Sequence, residues 1–155
     1  MADDFEQLAR SYCEFVERDG SEGQDRAAFV AELEGHLLAL YGAALDLTLA
    51  DPAERDAPGV SHEEWGAVFG RVASRLGDAD AYWLVLDPFA EDAPVLGSLS
   101  DDVADIYGDL KSGLRLIEGH PSEDASWDWR FTFDTHWGRH AASALYALRL
   151  LTEDS

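Results

Sequence analysis

The chain has 155 residues, 46% of them hydrophobic, so it is long enough for one domain with a sizeable core. Eleven basic and 32 acidic residues give a formal net charge of −21, which argues against nucleic acid as a partner and favours basic proteins or cations. No apolar run approaches the ~18 residues of a membrane span, and no basic-then-apolar leader is visible. We therefore expect no membrane contact and a cytoplasmic location.

Two helices are predicted in the first 50 residues, over Asp3 to Asp19 and from about Asp25 to Leu47, with a polar loop at Gly20 to Gln24 between them. Each has a one-sided apolar stripe, formed by Phe5, Leu8, Tyr12, Phe15 and Val16 in the first and by Phe29, Leu33, Leu37, Leu40, Tyr41 and Ala44 in the second. The only cysteine, Cys13, excludes an internal disulfide, and packing is its expected role. His36 lies beside the second stripe, where a packed side chain is a simpler interpretation than a ligand.

A capping box formed by Ser61 and Glu64 predicts the start of the third helix, and Gly77 is expected to end it. The run Tyr82 to Leu86 fits either a short strand or a buried helical turn. The segment Phe89 to Gly97 is expected to be extended and to cover the edge of the core.

The fourth helix is expected to begin at Ser98 or Ser100 and to end before Gly119 and Pro121. Its apolar residues fill one arc at the helical period: Val103, Ile106, Tyr107, Leu110, Leu114 and Ile117. Because only a short turn separates this helix from the next apolar segment, we expect the two to form an antiparallel hairpin.

The last segment, Ser122 to Leu151, allows two interpretations. Trp127, Trp129, Phe131 and Phe133 alternate with polar residues, which is typical of a half-buried strand. The helical interpretation is favoured because apolar residues also recur at steps of three and four, and the second half is rich in strong helix formers. We therefore predict one long central helix and an all-α single domain of about five helices, closed around the C-terminal helical hairpin.

Three segments, YWLVLDPF, SDDVADIYGDLKSG and WDWRFTFDTHWGRHAASALYAL, resemble a family of bacterial proteins, domain of unknown function 5063. The resemblance is good over about Tyr82 to Leu151 and looser before it. It implies an all-helical domain, and it brings no substrate, cofactor or catalytic residue with it. Trp137 and Gly138 belong to the resembling pattern, whereas His136 and His140 do not.

Candidate metal ligands occur on the last two predicted helices. His136 and His140 are spaced i, i+4, which places two imidazoles on one helical face. Asp101, Asp105 and Asp109 recur at the same step, and a cation would relieve the repulsion between them. The set Asp105, Asp109, His136 and His140 is therefore a possible site for a divalent metal. The simpler interpretations are packed histidines and a solvated acidic face, and no other cofactor is implied.

Four further residues are expected to act in structure or interaction. Arg130 and Asp134 lie four residues apart within the aromatic arc, so each needs a partner if it is buried, and one of them is expected to bond to another helix. Trp137 and Gly138 are expected to mark the tightest contact of the helical hairpin, because a glycine lets two backbones approach.

We expect a non-enzymatic module that contacts another protein or a second copy of itself. The first alternative is a metal-dependent hydrolase or metal-binding protein that uses the aspartates and histidines. A second is an acidic inhibitor or immunity-type protein directed at a basic site. Carboxylates and imidazoles that converge within about 5 Å in a cleft would favour the metal-dependent alternative, since ligands lie 2.0 to 2.2 Å from one metal ion.

Overall fold

The computed structural model describes residues 2–19 and 24–153, so the predicted loop at Gly20 to Gln24 lies outside the described residues except for Gln24. The helices are α1 (Ala2–Glu17), α2 (Arg26–Ala44), α3 (His62–Leu76), α4 (Leu99–Ile117), α5 (Ser126–Thr132) and α6 (Gly138–Glu153). A short 3-10 turn, Gly77–Ala79, follows α3, and a π-helical turn, Phe133–Trp137, joins α5 to α6 without a break. The predicted all-α architecture of five helical rods is confirmed. In the described ranges, no helix is both long and apolar enough to cross a membrane.

Side chains cap the helices where the sequence predicts it. Asp25 precedes α2 and accepts a hydrogen bond from the Ala28 amide at 2.7 Å. The Ser61 hydroxyl accepts from the Glu64 amide at 3.1 Å, and the Glu64 carboxylate accepts from the Ser61 amide at 3.0 Å. Both caps satisfy amide groups that the first turn of a helix leaves without intrahelical partners.

Helix α4 is the central element of the fold, because it packs against α1, α3 and α6. Its buried residues occupy most of its circumference and include the polar side chains of Ser100 and Asp102. The Tyr12 hydroxyl of α1 donates to the Val103 carbonyl of α4 at 2.8 Å. The C-terminal helix α6, by contrast, is buried along a narrower stripe, which consists of Gly138, Ala141, Ala144 and Leu148. The helical hairpin is therefore present, with α4 as its more central member.

The last helix begins at Ser126 rather than at Ser122. The preceding residues form two tight turns, in which the His120 amide donates to the Ile117 carbonyl and the Glu123 amide to the His120 carbonyl. The Asp124 carboxylate accepts from the Ser126 amide at 2.9 Å at the start of the helix. These turns provide the reversal that brings the helix back against α4.

The apolar run Tyr82 to Leu86, which fits either a short strand or a buried helical turn, contributes to the first strand of a β-hairpin. Strand β1 (Ala81–Leu84) pairs antiparallel with β2 (Val95–Ser98), with Tyr82 opposite Gly97. The expectation that Phe89 to Gly97 covers the core is wrong, since the Phe89 side chain is 99% exposed and Leu96 is 61% exposed. Only the last residues of this segment, from Val95, pair with β1, and the rest forms the exposed connection between the two strands.

Candidate functional site

Acidic residues of α4 meet two histidines of the C-terminal helix where the two helices pack together. Asp102, Asp105 and Asp109 lie three and four residues apart, which places their side chains on one face of α4. His136, in the π-helical turn, and His140, on α6, lie four residues apart on the facing helix. Their rings meet edge to face, with centroids 4.9 Å apart. We call these five residues the His–Asp cluster.

Each imidazole of the His–Asp cluster lies between two carboxylates. His136 Nδ1 lies 2.6 Å from Asp109 Oδ2, and its Nε2 lies 3.7 Å from Asp105 Oδ2. His140 Nδ1 lies 2.7 Å from Asp102 Oδ1, and its Nε2 lies 3.1 Å from the same Asp105 Oδ2. The four residues named from the sequence as possible metal ligands are thus brought together, and Asp102 joins them.

Two aromatic side chains from other elements hold the carboxylates. The Trp65 indole of α3 donates to Asp105 Oδ1 at 2.8 Å, and the Tyr82 hydroxyl of β1 donates to Asp102 Oδ2 at 2.5 Å. The expectation of a solvated acidic face therefore does not hold for Asp105, because α3 packs over that side of α4. Neither contact could be found from the sequence, since Trp65 and Tyr82 lie 40 and 20 residues from their partners.

The electrostatics of the cluster favour added positive charge. Burial raises the pKa of Asp102 and of Asp109, because their carboxylates lose water between the helices. Burial, followed by the nearby charge of Asp105, also raises the pKa of Asp101. The hydrogen bond to Asp102 raises the pKa of the His140 imidazole. When ionised, the three carboxylates of the cluster and the neighbouring Asp101 face at most two imidazolium charges, so a net charge of about −2 remains even with both rings protonated.

Two overlapping groups of side chains could surround a cation. One consists of Asp105, His136 and His140, and the other of Asp101, Asp102 and His140. In each group, one ligand atom per residue lies within 4.8 Å of the others. The first group offers two imidazole nitrogens and a carboxylate oxygen, and it is the more accessible of the two because the second group includes the buried Asp102.

Arg130 links the C-terminal helix to the end of α2. Its Nη1 lies 2.9 to 3.1 Å from three backbone carbonyl oxygens, those of Ala44, Leu45 and Leu47. Its Nε also donates to the Asp134 carboxylate at 3.1 Å. Arg130 therefore donates to the carbonyl of the last α2 residue, Ala44, and to two carbonyls of the turn that follows it, where helical hydrogen bonding ends.

Trp137 and Gly138 lie in the interior for different reasons. The Trp137 side chain is fully buried, contacts the Phe5 and Phe133 rings, and donates from its indole to the Trp129 carbonyl at 3.2 Å. Gly138 donates its amide to the Phe133 carbonyl five residues earlier, and a Cβ at Gly138 would lie 2.5 Å from that oxygen. The glycine is therefore explained by the π-helical turn of its own helix, and not by the predicted close approach of α4.

A second candidate site is an apolar groove of about 780 Å³ between β1 and the end of α6. Its lining is Asp78, Ala79, Ala81, Tyr82, Trp83, Leu84, Val85, Pro88, Pro94, Ser143, Tyr146, Ala147, Leu150 and Leu151. Trp83 is 68% exposed and Tyr146 is 71% exposed, although both are large and aromatic. The only sequence signal for this groove was the apolar run Tyr82 to Leu86, which had been assigned no surface role.

Comparisons with known proteins identify a family and a fold. The sequence model described as Domain of unknown function (DUF5063) matches residues 1–154, so the similarity extends well before Tyr82. The chain is also similar to a solved structure, the crystal structure of protein BF1032 from Bacteroides fragilis. The two share 25% identity with a TM-score of 0.77, over 96% of this chain and 93% of that one. No curated protein matches the chain.

Proposed function

Since the chain belongs to the DUF5063 family, whose name assigns no activity, we propose a function from the chain's own surface: it is a protein-interaction module whose apolar groove binds an extended segment of a basic partner. The observation that carries this proposal is the concentration of apolar side chains at the groove. Of the twelve large hydrophobic residues that are exposed in the described ranges, four line the groove: Trp83, Val85, Tyr146 and Leu150. Four more lie beside it on the β-hairpin: Leu86, Phe89, Val95 and Leu96. Exposed apolar residues gathered in this way are typical of interaction sites.

The shape of the groove favours an extended occupant. All four residues of β1, Ala81 to Leu84, line the groove. Since successive side chains of a strand point to opposite faces of the sheet, a groove lined by consecutive residues runs along the edge of the strand. In the described sheet β1 pairs with β2 alone, which leaves its other edge free for backbone hydrogen bonds. A peptide added as a third strand would bond to that edge and bury its apolar side chains against Tyr146 and Leu150.

The charge of the protein supports a basic partner. Among the described residues that line the groove, Asp78 alone is charged, and it forms an ion pair with Arg26 at 2.9 Å. Three further acidic residues, Asp87, Glu91 and Asp92, lie in the connection between the two strands. A second copy of the chain would bring another net charge of −21 to this surface, so self-association is the less favoured form. A basic partner is also what an acidic inhibitor would bind, and the proposal includes that alternative.

A pair of matched variants tests the proposal. Leu150→Asp introduces a charge into the groove, whereas Leu38→Asp changes a similarly exposed leucine on α2. Wild-type protein and both variants are immobilised, and proteins captured from the native host are compared. We expect a protein that binds the wild type and Leu38→Asp and is lost with Leu150→Asp.

The captured protein is then purified and titrated against all three chains. An affinity at least about tenfold weaker for Leu150→Asp alone supports the proposal, as burying an unpaired charge requires. Equal affinity for the three chains, or no protein that distinguishes the two variants, contradicts it.

A further inference from the structure

We propose that Asp105, His136 and His140 bind one divalent transition-metal ion, through a carboxylate oxygen and the Nε2 atoms of both imidazoles. The proposal rests on a different part of the surface from the apolar groove and does not depend on the function proposed above.

The positions of the three ligand atoms already approach those around one ion. His140 Nε2 and His136 Nε2 lie 3.1 and 3.7 Å from the same oxygen, Asp105 Oδ2. Ligands that lie 2.0 to 2.1 Å from a tetrahedral zinc ion are about 3.3 Å apart. These two distances lie on either side of that value, and all three ligand atoms lie within 4.8 Å of one another, so the side chains must move closer together to hold an ion.

Every proposed ligand has a hydrogen-bond partner behind it. His136 Nδ1 lies 2.6 Å from Asp109 and His140 Nδ1 lies 2.7 Å from Asp102, so in the tautomer that carries its proton on Nδ1 each ring donates to a carboxylate and keeps the Nε2 lone pair for a metal. The Trp65 indole holds the second oxygen of Asp105, which leaves Oδ2 for the same ion. Metal-bound histidines commonly donate their other ring nitrogen to a carboxylate in this way, which fixes the tautomer and the orientation of the ring.

The identity of the ligands indicates the class of ion. Two imidazoles and one carboxylate suit zinc, iron, manganese or cobalt, whereas calcium and magnesium bind mainly to oxygen ligands. The His136 side chain is 45% exposed, so an ion could enter from solvent. Three protein ligands leave at least one coordination position for water or for a group of a bound molecule.

Zinc titration of the metal-free full chain tests the site. The protein is dialysed against a chelator and titrated with Zn²⁺ by calorimetry, and bound metal is counted after gel filtration. We expect one ion per chain, and more than about a 100-fold loss of affinity in His136→Ala and in Asp105→Asn. The control His120→Ala removes an exposed histidine on the turn before α5 and should bind zinc like the wild type. The groove variant Leu150→Asp should also bind zinc normally, which separates this proposal from the previous one.

A second variant separates coordination from simple attraction to acidic residues. Asp109→Asn keeps all three ligands and weakens only the partner of His136, so about a 10- to 100-fold loss is expected. Co²⁺ bound to the wild type should give visible absorption that disappears in His136→Ala. No zinc retained by the wild type, or equal losses in His136→Ala and His120→Ala, overturns the proposal. If His140→Ala fails to fold, the exposed His136 variant and Asp105→Asn still decide the result.

Discussion

The indole of Trp129 occupies the space that a side chain at Gly113 would fill. A Cβ at Gly113 would lie 2.6 Å from Cε2 and 2.7 Å from Cδ1 of the indole. The indole Nε1 donates to the Leu110 carbonyl at 3.2 Å. The C-terminal helix therefore contacts α4 here through the Trp129 ring, which packs directly against the backbone of α4 at Gly113. This is the close approach of the helical hairpin that the sequence analysis assigned to Gly138.

We expect Gly113→Ala to destabilise the protein by about 1 to 3 kcal/mol, because the methyl group forces the buried indole to move. The cost of displacing the indole is expected to exceed the gain of about 1 kcal/mol that alanine brings over glycine in helix propensity. The matched control is Gly35→Ala on α2, where, apart from the adjacent backbone of the helix itself, no described atom lies within 4 Å of the added Cβ, so only the propensity gain remains. Urea unfolding of both variants measures the difference, and a stabilised Gly113→Ala would show that the indole is not fixed on α4.

Trp137→Ala is expected to lower the free energy of unfolding by about 3 to 5 kcal/mol, as for other large buried aromatic residues. Trp137→Phe keeps the ring against Phe5 and Phe133 and loses the hydrogen bond to Trp129, so its cost should be smaller. Denaturant unfolding of both variants gives the order. Equal costs would mean that the indole nitrogen, and not the packed ring, determines stability at this position.

Arg130→Met should destabilise the protein by about 1 to 3 kcal/mol, because three carbonyl groups at the end of α2 lose a charged donor. Asp134→Asn removes only a partly exposed ion pair and should cost less than about 1 kcal/mol. Thermal or urea unfolding compares the two variants. If Asp134→Asn is as costly as Arg130→Met, the ion pair within the helix is the more important contact.

The metal-free protein should lose stability as the pH rises from about 4 to about 7. Burial, with a further contribution from Asp109, raises the pKa of Asp128 to about 6, above the ~3.9 of an unfolded aspartate. Between these values the folded state binds more protons, so stability falls as the pH rises through them. The pKa of His140 is also raised, so its contribution is complete below about 6.5 and is lost as the pH rises through the folded value.

Asp128→Asn tests the larger of these shifts. The amide cannot ionise, so the variant should be more stable than the wild type at pH 8 and should gain little at pH 4, where the wild-type carboxyl is protonated in the fold. Chemical unfolding across this pH range in the presence of a chelator is the measurement. A variant that is destabilised equally at both pH values would show that Asp128 is not held in a charge-unfavourable position.

Local patterns in the sequence were sufficient for the helices. The capping box at Ser61 and Glu64 and the apolar stripes depend on residues three or four positions apart, and such spacing can be read directly. The aromatic residues that alternate with polar ones from Trp127 to Phe133 also fit a helix, because residues four positions apart share a face. Trp127 and Phe131 stack with ring centroids 4.9 Å apart on the outer side, whereas Trp129 and Phe133 are buried.

Long-range pairing was not predictable in the same way. Strand β1 has its partner across ten intervening residues, and the sequence offered no sign of which segment it would meet. The spacing of His136 and His140 indicated a shared face, but the identity of their partners depended on how α4 packs against α6. Asp102 lies in the first turn of α4, where the positive end of the helix is reason enough for an acidic residue, so nothing in the sequence indicates its contact with His140.

Hydrogen–deuterium exchange of the protein with its captured partner tests the interaction proposal most directly. We predict that the backbone amides of β1 and those from Tyr146 to Leu150 exchange more slowly when the partner is bound. A third strand would bond to the free edge of β1 and cover this part of α6. The region around Leu38 should exchange at an unchanged rate. If exchange became slower around Leu38 and stayed unchanged in β1, the groove would not be the binding surface.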